Sequence, residues 1–277
     1  MSPLRTILAA LACVLLTTAV SAETVVVRVL GFYFAPREIV IQPGDTVRWE
    51  WSGGTHTVTE GTDGLVNGNE LFHSPLTSSV PSFSFTFTPA FLTAHPKPGG
   101  RYDYFCSPHF SIGMNGIVRV ADPVPGSTYC YGDGSGTACP CGNVSTEPVG
   151  CINSVLQGGR LRGIGTASVA ADSLELWVNG PSEGSGVLFF QGSSAIGAGA
   201  VFGDGLRCAG GSVLRLGRTF MSFGWAKYPG TGNLPISVRG SVLPGTTRYY
   251  QAWYFDSPGA CGPPTANFTN GYSVVWN

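Results

Sequence analysis

One short loop, Cys106-Ser107-Pro108-His109-Phe110-Ser111-Ile112-Gly113-Met114, constrains the fold more than any other stretch of the chain. Tyr102-Asp103-Tyr104-Phe105 leads into it and Asn115-Gly116-Ile117-Val118-Arg119-Val120 leads away, both strand-like, so a thiol, an imidazole and a thioether meet at one turn between strands. Thiolate and thioether are soft donors suited to Cu(I), and imidazole suits both copper oxidation states. Two His and one Cys in a plane with a weak axial Met is the geometry of electron-transfer copper. The loop lacks one imidazole. His56, in Gly53-Gly54-Thr55-His56-Thr57-Val58-Thr59, can supply it if the fold brings it across, as a β-sandwich does by clustering its connections at two ends.

The flanking sequence reads as such a sandwich. Thr24–Leu30 is β-branched and short, Glu38–Gln42 is apolar and stopped by Pro43-Gly44-Asp45, and Val47, Trp49 and Trp51 alternate with Arg48 and Glu50. Phe83, Phe85 and Phe87 alternate with Ser and Thr in the same way. Residues 60–80, rich in Gly, Asn and Ser, are expected to form a long loop with room for a short helix. About seven strands result, with turn signals between them.

The run from Phe32 to Val120 resembles the cupredoxins, and its Cys-Ser-Pro-His-x4-Met loop is similar to that of the plastocyanin- and pseudoazurin-like type 1 blue copper members. The resemblance implies a Greek-key β-sandwich holding one copper per chain, with His56, Cys106, His109 and Met114 as ligands. It also implies an electron port at the edge of His109, flanked by Phe110, and redox proteins as partners. Members usually carry Asn directly after the first His, where it ties the two ligand loops; this chain has Thr57, whose hydroxyl offers a tie to Ser107. Pro108 has no N–H and cannot donate to the Cys106 sulfur. With fewer donors there, a higher reduction potential is expected than Ala at that position would give. Met114, taken alone, also suits a core gap-filler.

The first 22 residues carry Arg5, an apolar stretch from Ile7 to Val20 and Val20-Ser21-Ala22 as a cleavage site, the pattern of a secretory signal ending before Glu23. A membrane anchor needs about 20 apolar residues, and Cys13 is poorly flanked for lipidation. No later stretch is long and apolar enough to span, so the mature chain is expected to be secreted, periplasmic or in the cell envelope. A net charge of −1 with 11% charged residues excludes a basic nucleic-acid face. Setting aside Cys13 and Cys106, the remaining Cys130, Cys139, Cys141, Cys151, Cys208 and Cys261 suit disulfides in an oxidising compartment, with a zinc site among the first four as the rival.

Ala121-Asp122-Pro123-Val124-Pro125-Gly126 breaks the chain, giving domains at 23–121 and 128–277 with a linker at 122–127. The second domain is rich in Gly and Cys and reads as a disulfide-stapled β-domain. Its strand candidates are Gly165–Ala170, Leu174–Val178, Val187–Gln191, Val213–Leu216, Ile236–Val238, Arg248–Phe255 and Tyr272–Trp276. Trp177, Trp225, Tyr249, Tyr250, Trp253 and Tyr254 offer either a core or an aromatic platform for glycan or envelope contact. Two functions stay open: a single-electron carrier that is not an enzyme, or an extracellular binding protein holding copper for storage or sensing. His73 and His95 read as solvated loop residues. With 4 His in the whole chain, a three-copper cluster cannot be built from it alone.

Overall fold

The computed structural model describes residues 22–121, 124–263 and 265–277. Apart from Ala22, the expected signal lies outside the described residues, as do Asp122 and Pro123 of the expected linker. The N-terminal part contains β1 (Thr24–Leu30), β2 (Tyr33–Ala35), β3 (Glu38–Ile41), β4 (Thr46–Trp51), β5 (His56–Glu60), β6 (His73–Leu76) and β7 (Ser82–Thr86). Helix α1 (Pro89–Ala94) follows, then β8 (Arg101–Phe105) and β9 (Asn115–Val120). These strands form two sheets, ordered β2-β1-β4-β7 and β3-β9-β8-β5-β6.

Alternation builds each sheet's inner face: Val25, Val27 and Val29 of β1 and Val47 and Trp49 of β4 are buried. They meet Phe87, Tyr102, Tyr104 and Met114 in one core. The pairs β1/β4 and β3/β9 are parallel, so the chain crosses between sheets and brings β5 beside β8. Thr59 faces Phe105 and Glu60 faces Tyr104 in that antiparallel pairing. Continued past the strand end, the register sets Thr57 at the level of Ser107 and His56 at the mouth of the Cys106 loop.

The C-terminal part contains β10 (Ser127–Tyr129), β11 (Arg160–Ile164), β12 (Glu175–Asn179), β13 (Gly186–Gly192), β14 (Ser194–Phe202) and β15 (Gly205–Gly210). It continues with β16 (Leu214–Phe220), β17 (Trp225–Tyr228), helix α2 (Ile236–Arg239), β18 (Thr247–Asp256), β19 (Thr265–Phe268) and β20 (Gly271–Val275). Its sheets run β10-β20-β18-β13-β16, with β19 on β18, then β11-β12-β17 and β14-β15. Disulfides Cys130–Cys208, Cys139–Cys151 and Cys141–Cys261 staple it, which rules out the zinc alternative. Cys106 is the free cysteine of the described residues.

Several elements differ from the sequence expectation. The strand expected at 165–170 lies earlier, at Arg160–Ile164, because both arginines are buried by ion pairs and so break the apolar alternation. Ile236–Val238 is helical: the turn follows Pro235, and Asp172 accepts from Ser237, a tertiary contact that overrides β-branched propensity. Residues 60–80 hold strand β6 and no helix, with Pro75 tolerated on a sheet edge. The glycan platform is not formed. Trp177, Tyr250 and Tyr254 are buried, and Trp225, Tyr249 and Trp253 pack on core clusters.

Buried charge joins the two parts. Arg162 donates to Asp45 at 2.8 Å, and Arg160 and Arg162 both pair with Glu23. Alongside, the Arg37 N–H donates to the Phe223 carbonyl at 3.0 Å, and Asn179 Nδ2 donates to the Glu38 carbonyl at 3.0 Å.

Candidate metal centre

His56 opens β5, Cys106 follows the last residue of β8, and His109 lies in a 3-10 turn over Ser107–Ile112. Pro108, with its fixed φ and no N–H to satisfy, suits the start of that turn. Gly113, at φ 84°, ends it in a conformation that costs other residues strain. The loop is closed by its own backbone: the Cys106 N–H donates to the Met114 carbonyl at 3.0 Å, and the Met114 N–H to the His109 carbonyl at 3.2 Å.

Three donor atoms converge at this end of the sandwich. Cys106 Sγ lies 3.6 Å from His56 Nδ1 and 3.4 Å from His109 Nδ1, and all three atoms lie within 4.8 Å of one another. First-row metals bind imidazole and thiolate at about 2.0–2.3 Å, and two such bonds to one ion at a little over a right angle place their donors at these separations. His56 Nε2 lies 3.0 Å from the Gly53 carbonyl, so its N–H donates there and the Nδ1 lone pair points at the sulfur. Gly54 covers the ring closely; a Cβ there would come within 3.0 Å of Nε2. The soft sulfur and paired imidazoles fit copper.

Burial shapes the electrostatics. It lowers the pKa of His56, with the neighbouring His109 adding to the effect and the Gly53 carbonyl opposing it. It raises the pKa of the Cys106 thiol, against the pull of the Thr57 and His109 N–H groups and the Thr57 hydroxyl.

Thr57 joins the two ligand-bearing segments. Its N–H donates to Cys106 Sγ at 3.4 Å, and its hydroxyl accepts from the Ser107 N–H at 2.8 Å. Met114 is buried in the N-terminal core. Pro108 is exposed and contributes no donor. A donor stabilises the electron-rich thiolate most when copper is reduced, so withholding one lowers the potential. The sign expected for Pro108 therefore reverses.

Phe110 packs edge-on against Phe105 at 5.3 Å, half-buried over Gly64. The exposed aromatic at His109 is instead Phe32, 63% exposed and edge-on to the imidazole at 5.0 Å. Sequence reasoning missed it, although Gly31-Phe32-Tyr33 marks a turn that displays two large apolar side chains. Neither spare histidine joins the cluster. His73 is on β6, bonded to Thr59, and His95 caps α1 and packs at a tilt against Phe91 at 5.1 Å.

Residues 22–121 match the model of the copper-binding proteins of the plastocyanin/azurin family. Chloroplastic plastocyanin of Physcomitrium patens is 31% identical over 126 residues, covering 42% of this chain and 68% of the relative. Plastocyanin of Scenedesmus fuscus is 32% identical over 92 residues, covering 31% of this chain and 85% of the relative. The crystal structure of amicyanin from Paracoccus versutus is 29% identical with a TM-score of 0.27, covering 37% of this chain and 85% of that one. Copper is thus the cofactor, and the chain belongs, through its N-terminal part, to the plastocyanin/azurin family of copper-binding proteins.

Proposed function

We propose that this chain is a secreted, mononuclear type 1 copper protein that carries single electrons between redox partners. The gathering of His56 Nδ1, Cys106 Sγ and His109 Nδ1 within 4.8 Å carries the reading, and membership of a copper-protein family supports electron transfer in general. Bound copper supplies one-electron chemistry between Cu(II) and Cu(I). His56 and His109 would hold it through Nδ1 and Cys106 as the thiolate, and Met114, on the same loop, would offer its thioether as a weak soft donor that tunes the potential.

The Gly53 carbonyl holds His56 in its ligating tautomer, and the Thr57 N–H holds the sulfur. A loop closed on its own backbone keeps these atoms in place when the metal charge changes. His109 and exposed Phe32 form the contact through which the electron leaves, a modest apolar face that suits brief encounters.

Residues 23–121 form the copper module and 128–277 a disulfide-stapled support clamped to it by the buried ion pairs. Three disulfides favour an oxidising compartment. Among the described residues no helix is long and apolar enough to cross a membrane. Cleavage before Glu23 would turn its N–H, which donates to Asp45 at 2.8 Å, into an ammonium on the same buried carboxylate.

A coulometric redox titration of copper-loaded protein, with metal analysis of both states, tests the reading. One reversible electron per chain with copper retained supports it. Copper that is lost on reduction, or a stoichiometry other than one, refutes it.

A further inference from the structure

A cleft of about 550 Å³ opens where the two parts meet. Leu30, Tyr33 and Phe34 of the first part and Val155, Pro181 and Phe223 of the second give it apolar walls, and Arg28 and Arg37 are its cations. Its volume is that of small-molecule sites, which favour the junctions between domains.

One wall residue is kept there at a cost to the fold. Ser222 and Trp225 exchange backbone hydrogen bonds, so Phe223 and Gly224 are the central pair of a two-residue hairpin turn, at φ 54° and 80°. Such a turn takes Asn, Asp or Gly at its first central position, because other side chains are strained at positive φ. Here that position holds a phenylalanine that is 63% exposed, so neither turn propensity nor burial accounts for the ring. Its surroundings hold it in place. Glu183 accepts from the Phe223 N–H at 2.9 Å and from the Gly224 N–H at 3.0 Å, and the Phe223 carbonyl accepts from the Arg37 N–H. A Cβ on Gly224 would come within 2.6 Å of Pro36, so the turn is seated on the first part. The second displayed ring of the cleft is that of exposed Tyr33.

The cleft is also positively charged. Arg37 donates through Nε and Nη2 to the neutral Asn115, and its guanidinium lies 5.4 Å from the centre of the Phe223 ring. Arg28 reaches the Val155 and Leu156 carbonyls at 3.3 and 3.4 Å. Neither arginine forms an ion pair among the described residues. Glu183, the carboxylate that lines the cleft, is taken up by the N–H groups of the turn. Charge complementarity therefore favours an anion, and the rings select a flat apolar body for it.

We propose that this cleft binds a small aromatic carboxylic acid as its anion, the ring against Tyr33 and Phe223 and the carboxylate drawn to Arg28 and Arg37. The site needs no metal and stands apart from the copper reading. It borders the copper end nonetheless, because the β1–β2 hairpin that supplies Tyr33 also sets Phe32 on His109.

Calorimetric titration of the metal-free protein tests the site, with naphthoate as the probe, naphthamide as its uncharged counterpart and acetate as charge without a ring. One saturable naphthoate per chain is expected, bound about tenfold or more tighter than the amide, the worth of one charge-assisted hydrogen bond. Acetate should not displace it. Phe223→Gly should weaken naphthoate by about tenfold and leave the urea midpoint at or above that of wild type, since glycine takes positive φ without strain. Arg28→Gln combined with Arg37→Gln should bring the acid down to the affinity of the amide. Absence of saturable binding, equal affinity for acid and amide in wild type, or full affinity in Phe223→Gly overturns the site. A lowered urea midpoint in Phe223→Gly would make the ring part of the fold and overturn the argument from its display.

Discussion

Replacing Asp45 by alanine should destabilise the whole chain, because one buried carboxylate holds both parts. Its oxygens accept from the Glu23 N–H, the Gln42 N–H and Arg162 Nη1, each at 2.8 Å. Asp45 is 1% exposed, so water cannot stand in for it. Leaving a buried partner charge uncompensated costs about 3–5 kcal/mol, and each orphaned backbone N–H about 1–3 kcal/mol. These terms overlap, and Arg162 keeps Glu23 as a partner. A total loss of about 4 kcal/mol follows.

Urea unfolding of the metal-free protein, followed by tryptophan fluorescence, measures it. The Asp45→Ala, Arg162→Met double variant should lose less than the two single losses added together, since no charge is then stranded. A loss in Asp45→Ala below about 1 kcal/mol, or additive losses in the double variant, refutes the buried clamp.

Thr57→Val should weaken copper retention and speed its loss to a chelator, since the Ser107 N–H loses its acceptor, worth about 1 kcal/mol. Phe32→Ala should slow electron exchange with a partner while leaving the potential unchanged, a split that voltammetry and stopped-flow kinetics resolve. In the chain-entropy picture, removing Cys141–Cys261, which spans 120 residues, should cost about 4–5 kcal/mol, against about 3 kcal/mol for Cys139–Cys151, which spans 12. Copper binding should strengthen with pH. The raised thiol pKa means Cys106 is protonated at neutral pH and must release its proton on binding. The lowered His56 pKa delays competition by protons at that ligand until below its ordinary range. Affinity measured from acid to alkaline pH, with proton release on metal addition, checks the sign.

The copper end of the fold was legible because its determinants are local. Cys106, His109 and Met114 share one turn, and Val47, Trp49 and Trp51 alternate as a half-buried strand must. What escaped depends on long-range partners. Arg160 and Arg162 look like surface residues until Glu23 and Asp45 are set against them, so β11 was misplaced. In the Gly- and Ala-rich β14 and β15 the few large apolar side chains, Ile196, Val201, Phe202 and Leu206, follow no alternation that reveals a period. Helix α1 carried a readable signal in Thr88-Pro89: the Thr88 hydroxyl accepts from the Phe91 N–H at 3.1 Å, with proline at the first position. Phe32 needed the turn between β1 and β2 to be set against His109, a contact between residues distant in sequence.

The visible absorption spectrum of copper-loaded, oxidised protein, repeated on Cys106→Ser, tests the central claim most directly. An intense thiolate-to-copper band toward the red, lost in the variant, is the expected result. A wild-type protein that takes up copper without that band, or a band that survives in Cys106→Ser, would contradict the site assigned to His56, Cys106, His109 and Met114.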